Sequence, residues 1–228
     1  MKTYLLIGAS SGIAQALTLL SSDKYIGIST KPTQSEHNFA SWHQVQSHEI
    51  SEYPEIEEPL DGLVYFPGSI VLKPFQRFTD TDFRQIFETN TLNAALALQK
   101  YLPNLKRSQN QASVVFISTV AASVGLPFHT AISMAKGALQ GLTVALAAEL
   151  APTIRVNCVA PSLTETAMAQ FLLNTPEKKE ASDKRHPLKR IGTPQDIAQS
   201  IYFLLSTQSS WMTGQILHCD GGISNLKI

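Results

Sequence analysis

The sequence predicts a doubly wound α/β domain built on a parallel sheet, and three observations carry that expectation. Short apolar runs alternate with longer segments of helical period, the pattern of successive βαβ units. The first run, Thr3-Tyr4-Leu5-Leu6-Ile7-Gly8, passes straight into a glycine turn and a helix-period segment. At 228 residues the chain suits one domain with a substantial core, and no internal repeat or low-complexity tract interrupts it.

Taken in order, strands are expected near 3–8, 24–29, 43–49, 61–66, 112–118, 153–160 and 214–218. Helices are expected near 12–21, 80–103, 131–150 and 194–206, where the apolar spacing turns helical. The run Thr30-Lys31-Pro32-Thr33-Gln34-Ser35-Glu36 leaves about a dozen residues before the third strand, too few for a full crossover helix. One helix is therefore expected to be missing or vestigial. Residues 163–190 lack a clean period and hold Pro176, Pro187 and six basic side chains from Lys178 to Arg190, which makes them a candidate substrate lid. A charge run of this kind also reads as a solvated face.

Eighteen basic against eighteen acidic side chains leave a net charge of zero, which offers no electrostatic footprint for nucleic acid or an anionic membrane. A small-molecule substrate or protein partners remain. Two cysteines, Cys158 and Cys219, suggest neither a disulfide framework nor a metal cluster, so no metal is expected and a cytoplasmic location is the default. The N-terminal strand carries no leader pattern and no apolar stretch is expected to reach membrane-spanning length.

Gly8-Ala9-Ser10-Ser11-Gly12-Ile13-Ala14 follows the first strand and opens the first helix, a turn whose backbone amides can cradle a pyrophosphate. Two glycines alone fit an ordinary strand-to-helix turn equally well. At the end of the second strand, Thr30-Lys31 supplies a positive charge and no carboxylate for a ribose diol, which favours NADP(H) over NAD(H) unless Lys31 is a solvated loop lysine.

Further along stand Asp61-Gly62-Leu63-Val64-Tyr65-Phe66-Pro67-Gly68, then Asn90, Ser118-Thr119, Lys136, Arg155-Val156-Asn157-Cys158-Val159-Ala160-Pro161 and Asp220-Gly221-Gly222. In these motifs nearly the whole chain resembles the short-chain dehydrogenase/reductase superfamily. The resemblance implies a single Rossmann-type domain over residues 1–228, a bound nicotinamide nucleotide, and a homodimer or homotetramer packed through the two long helices. It also implies roles. Gly8, Ser10, Ser11, Gly12, Ile13 and Gly68 would hold the nucleotide backbone, Glu49 the adenine, and Pro161, Thr164 and Thr166 the nicotinamide amide. Thr166 is equally readable as a helix cap. Lys136 would hold the nicotinamide ribose, Thr119 a substrate carbonyl, and Asn90 a water linked to the lysine.

The chain departs from the family at several points. Ala14 stands where the family has a third glycine, Tyr65-Phe66-Pro67-Gly68 replaces Asn-Asn-Ala-Gly, and Ser162 replaces the glycine after Pro161. Four residues before Lys136, at the place of the catalytic tyrosine, stands Ile132. A positioned general acid is typically worth about 10²- to 10⁴-fold in rate, and isoleucine cannot supply it. The resemblance to enoyl reductases, whose tyrosine lies seven residues before the lysine, points to His129 as a surrogate acid, with a loop histidine as the alternative. Tyr65 is a second candidate that also reads as a packing aromatic, and His186, in a segment resembling the lid hinge, is given no catalytic role. Two functions follow: an NADP(H)-dependent oxidoreductase acting on a small carbonyl or enoyl substrate, or a catalytically retired NADP(H)-binding sensor or scaffold.

Overall fold

In the computed structural model, which describes residues 1–32 and 39–227, seven strands hydrogen-bond into one sheet. They are β1 (Thr3–Ile7), β2 (Lys24–Ser29), β3 (Ser41–Gln44), β4 (Gly62–Tyr65), β5 (Ala112–Ile117), β6 (Ile154–Pro161) and β7 (Ile216–Cys219). Their spatial order is β3-β2-β1-β4-β5-β6-β7, and every neighbouring pair is parallel. The order reverses between β1 and β4, and in such sheets ligands bind outside the carboxyl ends of the strands at that reversal.

Alternation along each strand divides the core into two layers. Leu5, Ile7, Leu63 and Tyr65 face one side, where α3 (Asn93–Lys106) contributes Ala94, Ala97, Leu98 and Tyr101, and α4 (Thr130–Leu150) contributes Leu139, Ala147 and Leu150. Tyr4, Leu6, Val64 and Val115 face the other, against Ala14 and Leu17 of α1 (Gly12–Thr18) and Ile197, Ile201 and Leu204 of α6 (Pro194–Leu205). Strands buried on both faces explain why their runs are continuously apolar.

The long helix expected over 80–103 is in fact two. A capping box between Thr79 and Asp82 starts α2 (Asp80–Phe87), a π turn over Glu88–Leu92 interrupts it, and α3 then runs on to Lys106. The third strand also ends earlier than expected, at Gln44 rather than Glu49. The cause is local: the amides of Gln46 and Ser47 donate to the Glu52 carboxylate at 2.6 and 3.0 Å, so they are lost to a strand ladder. Glu49 therefore lies exposed in the following loop. The expectation of a missing crossover helix falls largely on residues 33–38, outside the described residues.

Within the expected lid, a short 3-10 stretch over Ala167–Leu172 precedes α5 (Pro176–Arg185), which the sequence reading did not anticipate. Thr175 caps it and Pro176 occupies its first turn, a start signal independent of apolar period. The expectation about apolar length needs correction too, because α4 has the length and hydropathy to cross a bilayer. Here it lies along β6 and α2 with Lys136 buried in its middle.

Candidate active site

Gly8 closes β1 with φ +79°, a conformation that glycine adopts without penalty, and a Cβ there would come within 2.9 Å of Pro67 Cδ. The Ser11 hydroxyl caps α1 by accepting from Ala14 N at 3.1 Å. As first-turn groups, the Gly12 and Ile13 amides have no intrahelical acceptor. A Cβ on Gly12 would meet protein only at 3.7 Å, so nothing inside the fold demands glycine there. The bare Cα suits close approach by a group from outside, and the turn fits a pyrophosphate. Ser10 is engaged through its carbonyl, which accepts from the Gln15 side chain at 3.5 Å.

Thr30 and Lys31 are exposed just past β2. The Lys31 backbone is pinned from both sides, its amide donating to Ser29 Oγ at 3.1 Å and its carbonyl accepting from Trp42 Nε1 at 3.2 Å. Its ammonium makes no ion pair with any described residue.

Three groups converge just beyond the end of β4. A Cβ on Gly68 would stand 2.8 Å from Asn90 Oδ1 and 3.7 Å from Lys136 Nζ. Fully buried Asn90 sits in the π turn and uses its whole amide: Nδ2 donates to the Ile86 carbonyl at 2.9 Å and to Ser69 Oγ at 3.2 Å, while Oδ1 accepts from Ser69 N at 3.3 Å. Lys136 is 7% exposed and donates to the Ile117 carbonyl at 2.7 Å. Burial pushes its ammonium down to about 8, with neighbouring Cys158 acting weakly in the opposite sense. Thr91 fastens the π turn to α4 by donating to the Ala135 carbonyl at 2.6 Å. Ser69, which sequence reasoning missed, directly follows the Gly68 that it did single out.

Thr119, half-buried at the end of β5, accepts from Ala121 N at 3.3 Å and so starts a short 3-10 turn. Ile132, one helical turn before Lys136, is 4% exposed and packs among Ile86, Ala131, Ala135, Val71, Phe78 and Phe83. His129 occupies the N-cap position of α4 with Nδ1 2.7 Å from the Pro127 carbonyl. That carbonyl can only accept, so Nδ1 carries a proton and Nε2 can donate only from the imidazolium. The ring makes no hydrogen bond to Thr119, Asn90 or Lys136. Of the two readings of Tyr65 the structure takes the packing aromatic: it is 1% exposed, donates to the Thr89 carbonyl at 3.1 Å, and burial drives its pKa up.

At the end of β6, Pro161 leads into Thr164, which is buried and forms a parallel bridge with Gly192. Thr164 Oγ1 donates to the Ser162 carbonyl at 3.0 Å, and Thr166 Oγ1 donates back to Thr164 O at 3.4 Å. Thr166 precedes the 3-10 stretch without a side-chain capping bond, so the cap reading does not hold.

A family model described as enoyl-(acyl carrier protein) reductase matches residues 42–224. The chain belongs to the short-chain dehydrogenase/reductase superfamily. Among its superfamily relatives, a 3-oxoacyl-(acyl-carrier-protein) reductase of Thermotoga maritima is 30% identical over 243 residues, covering 97% of each chain. A tropinone reductase homolog of Arabidopsis thaliana is 37% identical over 166 residues, 72% of this chain and 62% of its own length. The chain thus spans less than two thirds of that plant relative. In three dimensions the superfamily fold matches ligand-free aldohexose dehydrogenase of Thermoplasma acidophilum with a TM-score of 0.89 and 26% identity, over 99% of this chain and 95% of that one.

Proposed function

We propose that the protein is an NADP(H)-dependent oxidoreductase that moves a hydride to or from a small carbonyl or enoyl substrate without a tyrosine acid. The observation that carries this reading is the convergence of Gly68, Asn90 and buried Lys136 beside the open glycine turn. The nicotinamide would supply the hydride. Amides of the Gly8–Ile13 turn take the pyrophosphate, Lys31 and Thr30 the ribose phosphate, and Glu49 the adenine edge. Lys136 holds the ribose hydroxyls, with Asn90 fixing the neighbouring backbone, and Pro161, Thr164 and Thr166 frame the carboxamide. Thr119 offers its hydroxyl to the substrate oxygen. His129, as imidazolium, donates the proton from Nε2 once it is brought over the cleft.

Ile132 stands in the tyrosine position and, buried among Ile86, Ala131 and Ala135, offers no proton there, which leaves His129 at the enoyl-reductase spacing and favours an enoyl centre over a simple ketone. The outward face of α4, with Met134 47% and Val144 53% exposed, supports assembly into a homodimer or homotetramer. Leu139, on the opposite side of the same helix, is spent in the core. Two free cysteines fit a cytoplasmic protein.

The test is NADPH binding by fluorescence, followed by turnover on ketone and enoyl-thioester panels. His129→Ala is expected to lose wild-type turnover about 10²-fold or more, and Ile132→Tyr to gain carbonyl reduction. Tight NADPH binding with no wild-type turnover on either panel overturns the enzyme reading and leaves a sensor or scaffold.

A further inference from the structure

His186 was given no role from sequence, yet it is 3% exposed and both ring nitrogens are engaged. Nδ1 lies 2.7 Å from the Ser182 carbonyl and Nε2 lies 2.8 Å from Ser162 Oγ. Because a carbonyl only accepts, Nδ1 holds the proton, and the neutral ring accepts the Ser162 hydroxyl at Nε2. The partners belong to different elements. Ser182 is in the last turn of α5, whose carbonyls lack intrahelical donors, and Ser162 directly follows Pro161 at the end of β6.

The chain of bonds continues at both ends. Through its carbonyl Ser162 also receives Thr164 Oγ1, so the serine bound by the ring fixes the threonine beside it. Ser182 lines an open groove of about 500 Å³ between the two helical pieces of the lid, with Phe171, Leu172, Lys178 and Arg185. Behind the ring, a Cβ on Gly221 (φ +61°) would lie 3.6 Å from His186 Cδ2, so the C-terminal turn backs the imidazole. The serine that replaces a small glycine and the histidine in the hinge are thus one device.

We propose that His186 is a positioning residue that couples the pose of lid helix α5 to the Ser162–Thr164 segment. Its consequence for the nucleotide rests on the reading of Thr164 given above, while the coupling itself is a property of the chain alone. What happens in the lid groove would then be felt at the end of β6, some twenty residues away in sequence and one ring away in space.

The test is hydrogen–deuterium exchange on the full chain without nucleotide, for Ser162→Ala, His186→Phe and His186→Gln. Ser162→Ala is expected to raise exchange in 176–185, although no atom of that helix has changed. His186→Phe, which fills the space without hydrogen bonds, is expected to raise it in 162–166 as well. His186→Gln, which retains a donor and an acceptor, restores protection in both segments. The double variant adds little to either single one, as expected for a shared interaction. In NADPH titrations the Ala and Phe variants bind roughly fivefold more weakly or worse. Exchange changes confined to each variant's own segment overturn the coupling, and if His186→Phe does not fold, Ser162→Ala alone decides it. Wild-type protein that fails to bind NADPH defeats the cofactor reading and leaves the exchange result readable.

Discussion

Lys136 keeps a cationic group inside a core helix with one carbonyl as its hydrogen-bond partner, and that arrangement has a thermodynamic signature. Its ammonium titrates near 8 in the fold against an ordinary value of 10.5, so at neutral pH its burial costs on the order of 3 kcal/mol. Between those two values the unfolded chain binds the extra proton, and stability therefore rises with pH across that window. Lys136→Met is expected to melt at a higher temperature than wild type at pH 7, with the gain shrinking as pH climbs from 8 towards 10.5. A pH-independent difference in thermal denaturation would mean that the ammonium is not desolvated. Tyr65→Phe is the control at this scale: loss of its bond to Thr89 costs about 1 kcal/mol in urea unfolding and leaves NADPH affinity unchanged. Asn90 and Lys136 were legible in the sequence because their positions match the superfamily's motifs, and Asn90 also because it is a polar residue in an otherwise apolar stripe. The use of His186 was not legible, since its partners lie 4 and 24 residues away and neither spacing signals a contact.

Among the elements, β6 and α6 are tied by buried Arg155. Its guanidinium donates to the Leu204 and Ser206 carbonyls at 2.9 and 3.1 Å, and to Ser209 Oγ and Met212 O at 3.0 and 3.2 Å. No carboxylate takes part in these bonds; the carbonyls at the negative end of the α6 dipole, which lack intrahelical donors, do that work. Arg155→Met is expected to cost about 1–2 kcal/mol in urea unfolding, because it removes four charge-assisted hydrogen bonds while Ser113, Ser209 and Asn157 still donate to the carbonyls it leaves. Element by element, the strands were readable because burial on both faces writes continuous apolar runs. Helix α5 was not, since Ser182 is its only buried residue and a polar helix has no apolar stripe to read. Its Thr175-Pro176 start was the available signal. Glu49 was misplaced because a side chain, that of Glu52, competes for the strand's amides from outside any local pattern.

For the molecule as a whole, the apolar outer side of α4 is the feature that the monomer leaves unexplained. Gly137 and Gly141 lie in that helix with no atom within 4 Å of a built Cβ, so their helix-weakening is not repaid by packing within one chain. Light scattering is expected to find a dimer or larger species, and Val144→Glu to convert it to monomer with an unchanged circular dichroism spectrum. A monomeric wild type would remove the assembly proposal. The sequence showed that α4 is rich in apolar residues. It could not show which apolar residues the sheet would consume, because Leu139 and Val144 are alike in type and differ only in the direction they face.

The π turn over Glu88–Leu92 shifts the phase of everything that follows it. A π turn holds one residue more than an α-helix would use, and each helical residue turns the axis by about 100°. The apolar stripes of α2 and α3 are consequently written in two different phases, separated by a single inserted position. Deleting one residue there would heal the helix and misdirect it. Either Ala94, Ala97, Leu98 and Tyr101 would rotate off the sheet, or Asn90 would leave Ser69. The smallest possible deletion would act on packing as a frameshift acts on a message, with every downstream side chain intact and facing the wrong way.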